Sequence, residues 1–215
     1  MGPRLIGLLA TAVLVAGVTM AATPETGTNT APVTPAEAGD PVKVVEQFHN
    51  ALFQAMRNAR ALGYEGRRKI LAPAVAATFD ASAMVRIATG RYWSDFTKEQ
   101  RDQLIDAFRR MTIAAYAGRF NDYSGQRFEV VGSQPGRRGR MLIKTRLIKA
   151  NGDAVRFNYL LRRRGDHWVI LDIYLKGAFS ELAVRRSEFA SVLKDKGYGG
   201  LIAAIKDKIA GYREG

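Results

Sequence analysis

The residues best suited to chemistry are one acid and two tyrosines in the C-terminal half of the chain. Asp172 interrupts an otherwise apolar run over 168–174. A carboxylate in such surroundings needs hydrogen bonds or a cationic partner. It could act as a general base, with Tyr159 or Tyr174 as a hydroxyl donor. The alternative is a structural carboxylate that accepts backbone hydrogen bonds or pairs with Arg185.

Other catalytic and metal chemistries find little support in the sequence. The chain has two histidines, His49 and His167, and no cysteine. Isolated histidines provide no metal-ligand spacing, so both are expected to be structural and no metal site is predicted. Disulfides, thiol chemistry and lipid anchoring through cysteine are excluded. No Gly-rich phosphate loop or nucleophile elbow occurs between a strand and a helix, and no cofactor is predicted.

Helical periodicity and capping signals organise the segment that precedes residue 123. Asp40 suits an N-cap and Pro41 the first helical position. The predicted helices are Pro41 to Leu62 with Gly63 as its stop, 64–71 ended by Pro73, a short helix from Asp80, and one opened by the capping box Thr97–Gln100.

After Tyr123 the apolar period changes from helical to two. The predicted strands cover 127–133, 140–149, 153–163 and 167–175, and helices over 180–194 and 198–212 close the chain. Asn151-Gly152 is a strong hairpin signal, and the last strand is apolar on both faces, so it should be covered on both. The predicted fold class is α+β, with helices packed on a four-stranded antiparallel meander sheet.

A meander places alternate turns at the same end of the sheet. The turn near 134–139 and the turn at 164–166 should therefore share an end. Six guanidiniums at this basic rim could bind phosphate or dock on an acidic surface, or they could be ordinary solvated tips. The basic rim comprises Arg137, Arg138, Arg140, Arg162, Arg163 and Arg164.

The N-terminal segment indicates export. Arg4 is the only charge in the first 24 residues, and an apolar run leads to small residues at Thr19 and Ala21. This pattern predicts a signal peptide over 1–22, cleaved after Ala21 or Ala22 into the periplasm; a retained N-terminal anchor is the alternative. A flexible Thr/Pro-rich linker is expected over 23–40, followed by a single domain over 41–215.

The charge is strongly basic, with 33 Lys and Arg against 20 Asp and Glu and a net charge of +13. In an exported protein this balance favours transient contact with a membrane surface or an acidic partner, and no nucleic-acid partner is expected. A solvated basic face is the alternative.

Residues in order along the chain resemble the MlaC family, also called the toluene-tolerance family. They are Trp93, Gln100-Arg101, Phe108, Tyr116-Ala117, Tyr123, Asp172-Ile173, Gly177, Ser180, Phe189, Leu193, Lys196-Gly197 and Gly200-Leu201. The run over 180–187 is closer still to the HpnM branch, which is associated with hopanoid biosynthesis. Ala178-Phe179 stands where the phospholipid carriers usually have a shorter connection, which favours that branch.

The resemblance implies a soluble periplasmic carrier, not an enzyme, that shuttles a phospholipid or hopanoid between envelope membranes. It implies an MlaC-like fold, similar to NTF2-like cones, with an apolar cavity between sheet and helices. A monomer is expected, with an inner-membrane transporter complex as partner. The predicted lipid-binding walls are Phe48, Leu52, Met56, Leu104, Phe108, Met111, Ile143, Leu147, Phe157, Tyr159, Leu161, Ile170 and Tyr174.

Two further functions stay open from the residues alone. One is a small α+β cone enzyme that acts on a lipid precursor with Asp172 as general base. The other is a basic envelope-binding module without a cavity. A carrier should copurify with lipid and tolerate Asp172→Asn, whereas an enzyme should lose turnover on that change. A surface module should carry no lipid and dissociate from its partner in high salt.

Overall fold

Five helices and an antiparallel sheet build residues 39–214, the part of the chain that the computed structural model describes. The predicted signal peptide, 1–22, lies outside these residues, as does the predicted linker, 23–40, apart from its last two positions. The helices are α1 (Pro41–Arg57), α2 (Ala59–Thr78), α3 (Ala81–Thr89), α4 (Lys98–Arg119) and α5 (Glu181–Glu214), with a 3-10 helix over Gly90–Asp95.

The sheet is an antiparallel meander in the order β1-β2-β3-β4-β5. Its strands are β1 (Arg127–Pro135), β2 (Met141–Ile148), β3 (Ala154–Arg164), β4 (His167–Leu175) and β5 (Phe179–Ser180). The α+β class and the meander are confirmed, but the sheet has five strands rather than the four predicted. Two residues are too few to show an alternating pattern, so β5 leaves no sequence signal.

Three aspartate or threonine side chains start helices as predicted. Asp40 accepts a hydrogen bond from the Val42 backbone N–H at 2.8 Å. Asp80 does the same for Ala83 at 3.1 Å. Thr97 and Gln100 form a reciprocal capping box at the start of α4. These caps satisfy backbone N–H groups that have no partner within their own helix, so the sequence signal is local and reliable.

The first helix ends earlier than predicted. α1 stops at Arg57, and Asn58 has non-helical angles. The buried Arg67 side chain stabilises this break: its Nη1 donates to the Ala59 carbonyl at 3.0 Å and its Nε to the Ala117 carbonyl at 2.8 Å. A guanidinium that satisfies free carbonyls in the interior is a tertiary effect, so periodicity along α1 could not locate the break.

The second predicted helix, 64–71, was too short. α2 continues to Thr78 with Pro73 inside it. Proline removes one helical hydrogen bond, but the carbonyl that loses its donor belongs to the exposed Lys69. Leu71, Ala74 and Val75 are buried. Burial of this apolar face offsets the lost bond, so the helix runs through the proline.

The two predicted C-terminal helices form one long element, α5, with a break at Gly197. Gly197 has φ 63 and ψ −166, a conformation that favours glycine. The chain therefore changes direction where the sequence predicts. α5 packs mainly against α4 and α3, while α1 packs on α2 and on the sheet.

β4 is buried along most of its length, as predicted. Every residue from Trp168 to Ile173 is buried. Because successive side chains of a strand point to opposite faces, such a run must be covered on both. α1, α2, α3 and α5 all contact β4, so this strand is the centre around which the helices assemble.

Candidate functional site

The predicted lipid-binding walls converge on one contiguous core between the sheet and the helices. Ten of the thirteen are buried, and Leu147, Phe157 and Tyr174 are half-buried. Met56, Leu147 and Tyr174 lie outside the main core cluster, and Phe157 packs on it. The core members are Phe48, Leu52, Leu104, Phe108, Met111, Ile143, Tyr159, Leu161 and Ile170.

Aromatic rings fill the middle of this region. The Phe48 ring lies 4.9 Å from the rings of Phe79 and Tyr116, and 6.3 Å from that of Tyr159, in edge-to-face arrangements. The two best-defined cavities among the described residues are lined by none of the thirteen predicted wall residues. In the space predicted to hold a cavity, these aromatic side chains of the protein pack against one another.

His49 links this core to the surface. Its Nε2 lies 3.0 Å from the Tyr159 hydroxyl, and its ring stacks on Phe128 at 4.1 Å between centroids. Burial lowers the pKa of His49 to about 3, because the charged imidazolium is poorly solvated there. His49 is therefore neutral at physiological pH, in agreement with the predicted structural role.

A cleft of about 350 Å³ opens at the seam between α1 and β1. This seam cleft reaches His49, and through it Tyr159, from outside. Its lining is Glu46, His49, Asn50, Phe53, Arg127, Phe128 and Val130. Apart from His49, these residues were not singled out from the sequence. β1 is an edge strand, so no further strand of the described residues covers this side of the sheet; only the strand order identifies the seam.

Asp172 forms hydrogen bonds at the junction between the sheet and α5. Its carboxylate accepts hydrogen bonds from the Ile173 N–H at 2.7 Å, the Leu182 N–H at 3.0 Å and the Ser180 hydroxyl at 2.6 Å. Burial raises the pKa of Asp172, and these three hydrogen bonds act in the opposite direction. This arrangement matches the alternative in which Asp172 is a structural carboxylate that accepts backbone hydrogen bonds. Arg185, the other partner considered, is paired with Glu188.

The two tyrosines do not assemble with Asp172 into a catalytic group. Asp172 pairs with Leu160 across the strands, and Tyr159 with Ile173. Neighbouring positions of a strand point to opposite faces, so Tyr159 lies on the other side of the sheet from Asp172. Burial and the charge of Asp172 raise the pKa of Tyr174. No hydrogen bond joins Tyr174 to Asp172 in the described part of the chain.

The basic rim is brought to one end of the sheet, as the meander requires. Arg162 is not free there, because its guanidinium forks onto the buried Asp80 carboxylate, with Nε at 2.7 Å. Arg163 lies over the Trp168 ring at 5.3 Å. The other four arginines, 137, 138, 140 and 164, form no salt bridge with any residue between 39 and 214. Part of the rim thus stabilises the fold.

Residues 39–214 contain neither a membrane-spanning helix nor a metal-binding cluster. No helix there is long and apolar enough to span a bilayer. No group of three or more His, Cys, Asp or Glu side chains there could hold a metal ion.

Comparisons with known proteins show the family and the fold of this chain. The profile of the MlaC protein family matches residues 46–207. Among solved structures, the phospholipid-binding protein from Ralstonia solanacearum, determined in complex with a phospholipid, shares 21% sequence identity and a TM-score of 0.68. The likeness covers 80% of this chain and 95% of that one, and it shows a shared fold. A search of curated proteins finds no match. The predicted likeness to NTF2-like cones stays a prediction.

Proposed function

The chain belongs to the MlaC family, and from that premise we propose that it binds a lipid between its sheet and its helices and carries it through the periplasm. The Ralstonia solanacearum protein of the same fold was solved with a phospholipid, which supports a lipid as the ligand. The ligand of this chain is a phospholipid or a hopanoid, with its apolar part removed from water.

The observation that carries this proposal is the apolar interior that lies directly behind an open seam. Phe48, Leu52 and Tyr159 are at most 1% exposed, and the seam cleft leads to them through His49. An acyl chain gains about 0.8 kcal/mol for each methylene removed from water. A route from the surface to a continuous apolar core is what such a ligand requires.

Because the interior is filled in this structure, lipid entry requires the layers to separate. A widened seam between α1 and β1 would let a tail replace the contacts that Phe48 and Phe128 make. The tail then supplies the packing that the aromatic rings give one another in this structure. A binding protein of this kind exchanges internal contacts for ligand contacts, and needs no catalytic group.

The proposal extends to location and partners. The signal peptide predicted over 1–22 directs the protein to the periplasm. There it exchanges lipid with membranes through an inner-membrane transporter complex, as a monomer that contacts the membrane surface transiently. The arginines of the basic rim that form no salt bridge within residues 39–214 favour anionic membranes, because each cation near such a surface contributes about 1 kcal/mol.

Blocking the seam tests the proposed entry route. Val130 lines the seam cleft, whereas its neighbour Val131 is 60% exposed on the bulge of β1. Val130→Trp should lower the uptake of a fluorescent phospholipid from vesicles severalfold, because the indole fills the opening. Val131→Trp, the matched control, should take up lipid like the unaltered protein. Equal uptake by both variants, with equal thermal stability, would place the route elsewhere.

A further inference from the structure

A second cavity lies between two helices of the domain. It has a volume of about 470 Å³ and sits between the end of α3, with the 3-10 helix that follows, and the middle of α5. Gly90, Arg91 and Tyr92 form one wall, and Arg186, Ser191 and Lys194 the other. It shares no lining residue with the seam cleft or with the predicted lipid-binding walls.

The charge of this α3–α5 pocket is positive and uncompensated. Arg91, Arg186 and Lys194 all line it, and no aspartate or glutamate of residues 39–214 does. Neither Arg186 nor Lys194 forms a salt bridge within that range. Asp95 acts electrostatically on Arg91, but it lies outside the lining and accepts a hydrogen bond from Ser94. Three cations therefore line one space whose described lining contains no carboxylate.

The backbone positions the three cationic residues around the pocket. Arg186, Ala190 and Lys194 are spaced by four residues, so they lie along one ridge of α5. Gly90 has φ 57, and a Cβ built there would lie 3.8 Å from Arg186 Nε. The guanidinium thus lies against the turn after α3. The small side chain of Ala190 leaves the room between the two outer cations open.

We propose that the α3–α5 pocket binds a phosphate ester. Two guanidiniums offer forked donors that match phosphate oxygens, and Lys194 adds a point charge. A single carboxylate would leave most of this charge unmatched. The Ser191 hydroxyl can donate to an oxygen of the same group. The volume exceeds that of a phosphate alone, so a small polar substituent such as glycerol fits beside the Tyr92 ring.

Such a phosphate ester has two sources, a free small molecule or the head group of a lipid. The chemistry that the pocket recognises is the same in both. The inference does not rest on lipid carriage, because none of the predicted lipid-binding walls lines the pocket. The two proposals can therefore fail separately: a protein that carries lipid can lack this site, and the site can bind phosphate in a protein that carries none.

The test follows backbone amide shifts by nuclear magnetic resonance while sn-glycerol 3-phosphate is added to the full-length mature protein. We expect saturable shifts at Gly90, Arg91 and Tyr92, and none with glycerol. The double variant Arg186→Gln, Lys194→Gln should weaken binding about tenfold or more, because two charge-assisted interactions are lost. Both residues are exposed, so the fold should persist. Lys206→Gln, an exposed change on the same helix, should bind as before.

A parallel titration with monomeric dihexanoyl phosphatidylglycerol identifies the source. Shifts in the pocket with both compounds support recognition of the phosphate ester itself. Shifts with the short-chain lipid alone support a head group as the source. The inference is overturned if neither compound shifts the pocket amides, or if the double variant and Lys206→Gln weaken binding equally.

Discussion

His49 joins the surface cleft to the core, and its burial makes stability depend on pH. The pKa is about 3 in the folded protein and 6.5 in its ordinary state. Between these values the unfolded chain binds a proton that the folded protein rejects. Stability must therefore fall as the pH drops through 6.5, by as much as about 1.4 kcal/mol per pH unit.

The measurement is urea unfolding of the protein and of His49→Gln at several pH values from 7.5 to 4.5. In His49→Gln the unfolding free energy should depend less steeply on pH, by up to the slope that one proton contributes. This holds whatever the absolute stability of the variant. His167→Gln, which removes an exposed histidine, is measured in parallel. An identical slope in the protein and in His49→Gln would show that His49 is accessible to protons in the folded state.

Asp172 distinguishes a structural carboxylate from a catalytic one. In Asp172→Asn the side-chain oxygen still accepts from Ile173 and Leu182, and the Ser180 hydroxyl can become the acceptor for the new amide. We expect a loss of unfolding free energy of at most about 1 kcal/mol for Asn, against about 2–3 kcal/mol for Ala, which leaves buried N–H groups unpaired. Lipid content should not change in the Asn variant. A folded Asn variant that carries no lipid would contradict this role.

At the residue scale, the sequence signals that succeeded are those whose cause is local. The caps at Asp40, Asp80 and Thr97 satisfy backbone groups two or three residues away, so their pattern is visible in the chain. Arg67 shows the opposite case. It bonds carbonyls 8 and 50 residues distant, and nothing in its neighbourhood predicts that.

At the scale of elements, α4 and α5 approach each other closely at Gly118. A Cβ built there would lie 2.5 Å from the carbonyl oxygen of Tyr212, closer than real contacts allow. Gly118→Ala must therefore push the last turns of α5 away, at a cost of about 1–3 kcal/mol. Gly211 is the matched control: it is helical, and a Cβ added there would meet no atom of the described residues within 4 Å beyond its own stretch of helix.

Thermal unfolding of the two variants separates packing from helix propensity. Gly211→Ala should be neutral or stabilise by up to about 1 kcal/mol, because alanine favours a helix over glycine. Gly118→Ala should lower the melting temperature. If both changes stabilise the protein, the contact between the two helices is not close in solution.

The elements also show where periodicity is insufficient. β2, β3 and β4 match their predicted spans to within one residue, because β2 and β3 each have one apolar face and β4 is apolar on both. α2 continues through Pro73 because the burial of one face of this helix against the rest of the protein stabilises it. The apolar residues of the candidate site were predicted from their types and positions. That they pack against one another was not predicted, because side-chain packing between the sheet and the helices leaves no pattern in any single segment.

At the scale of the whole molecule, the net charge is +13. Some of its cations stabilise the fold, and others are available to a ligand. Arg162 and Arg67 are held by internal partners, so they are unavailable to a ligand. Arg186 and Lys194 form no salt bridge within residues 39–214. Composition therefore predicts an anionic partner but cannot indicate the surface that meets it. The proposed apolar contact is at the seam cleft and the proposed anionic contact is at the α3–α5 pocket. The two sites share no lining residue.

The most direct test of lipid carriage is native mass spectrometry of the protein purified from its own periplasm, with organic extraction of the bound material. We expect a mass above that of the mature chain by one phospholipid or hopanoid, which the extraction removes and identifies. A protein that is free of lipid, and that takes up none from phospholipid vesicles, would contradict the proposal that this interior binds lipid.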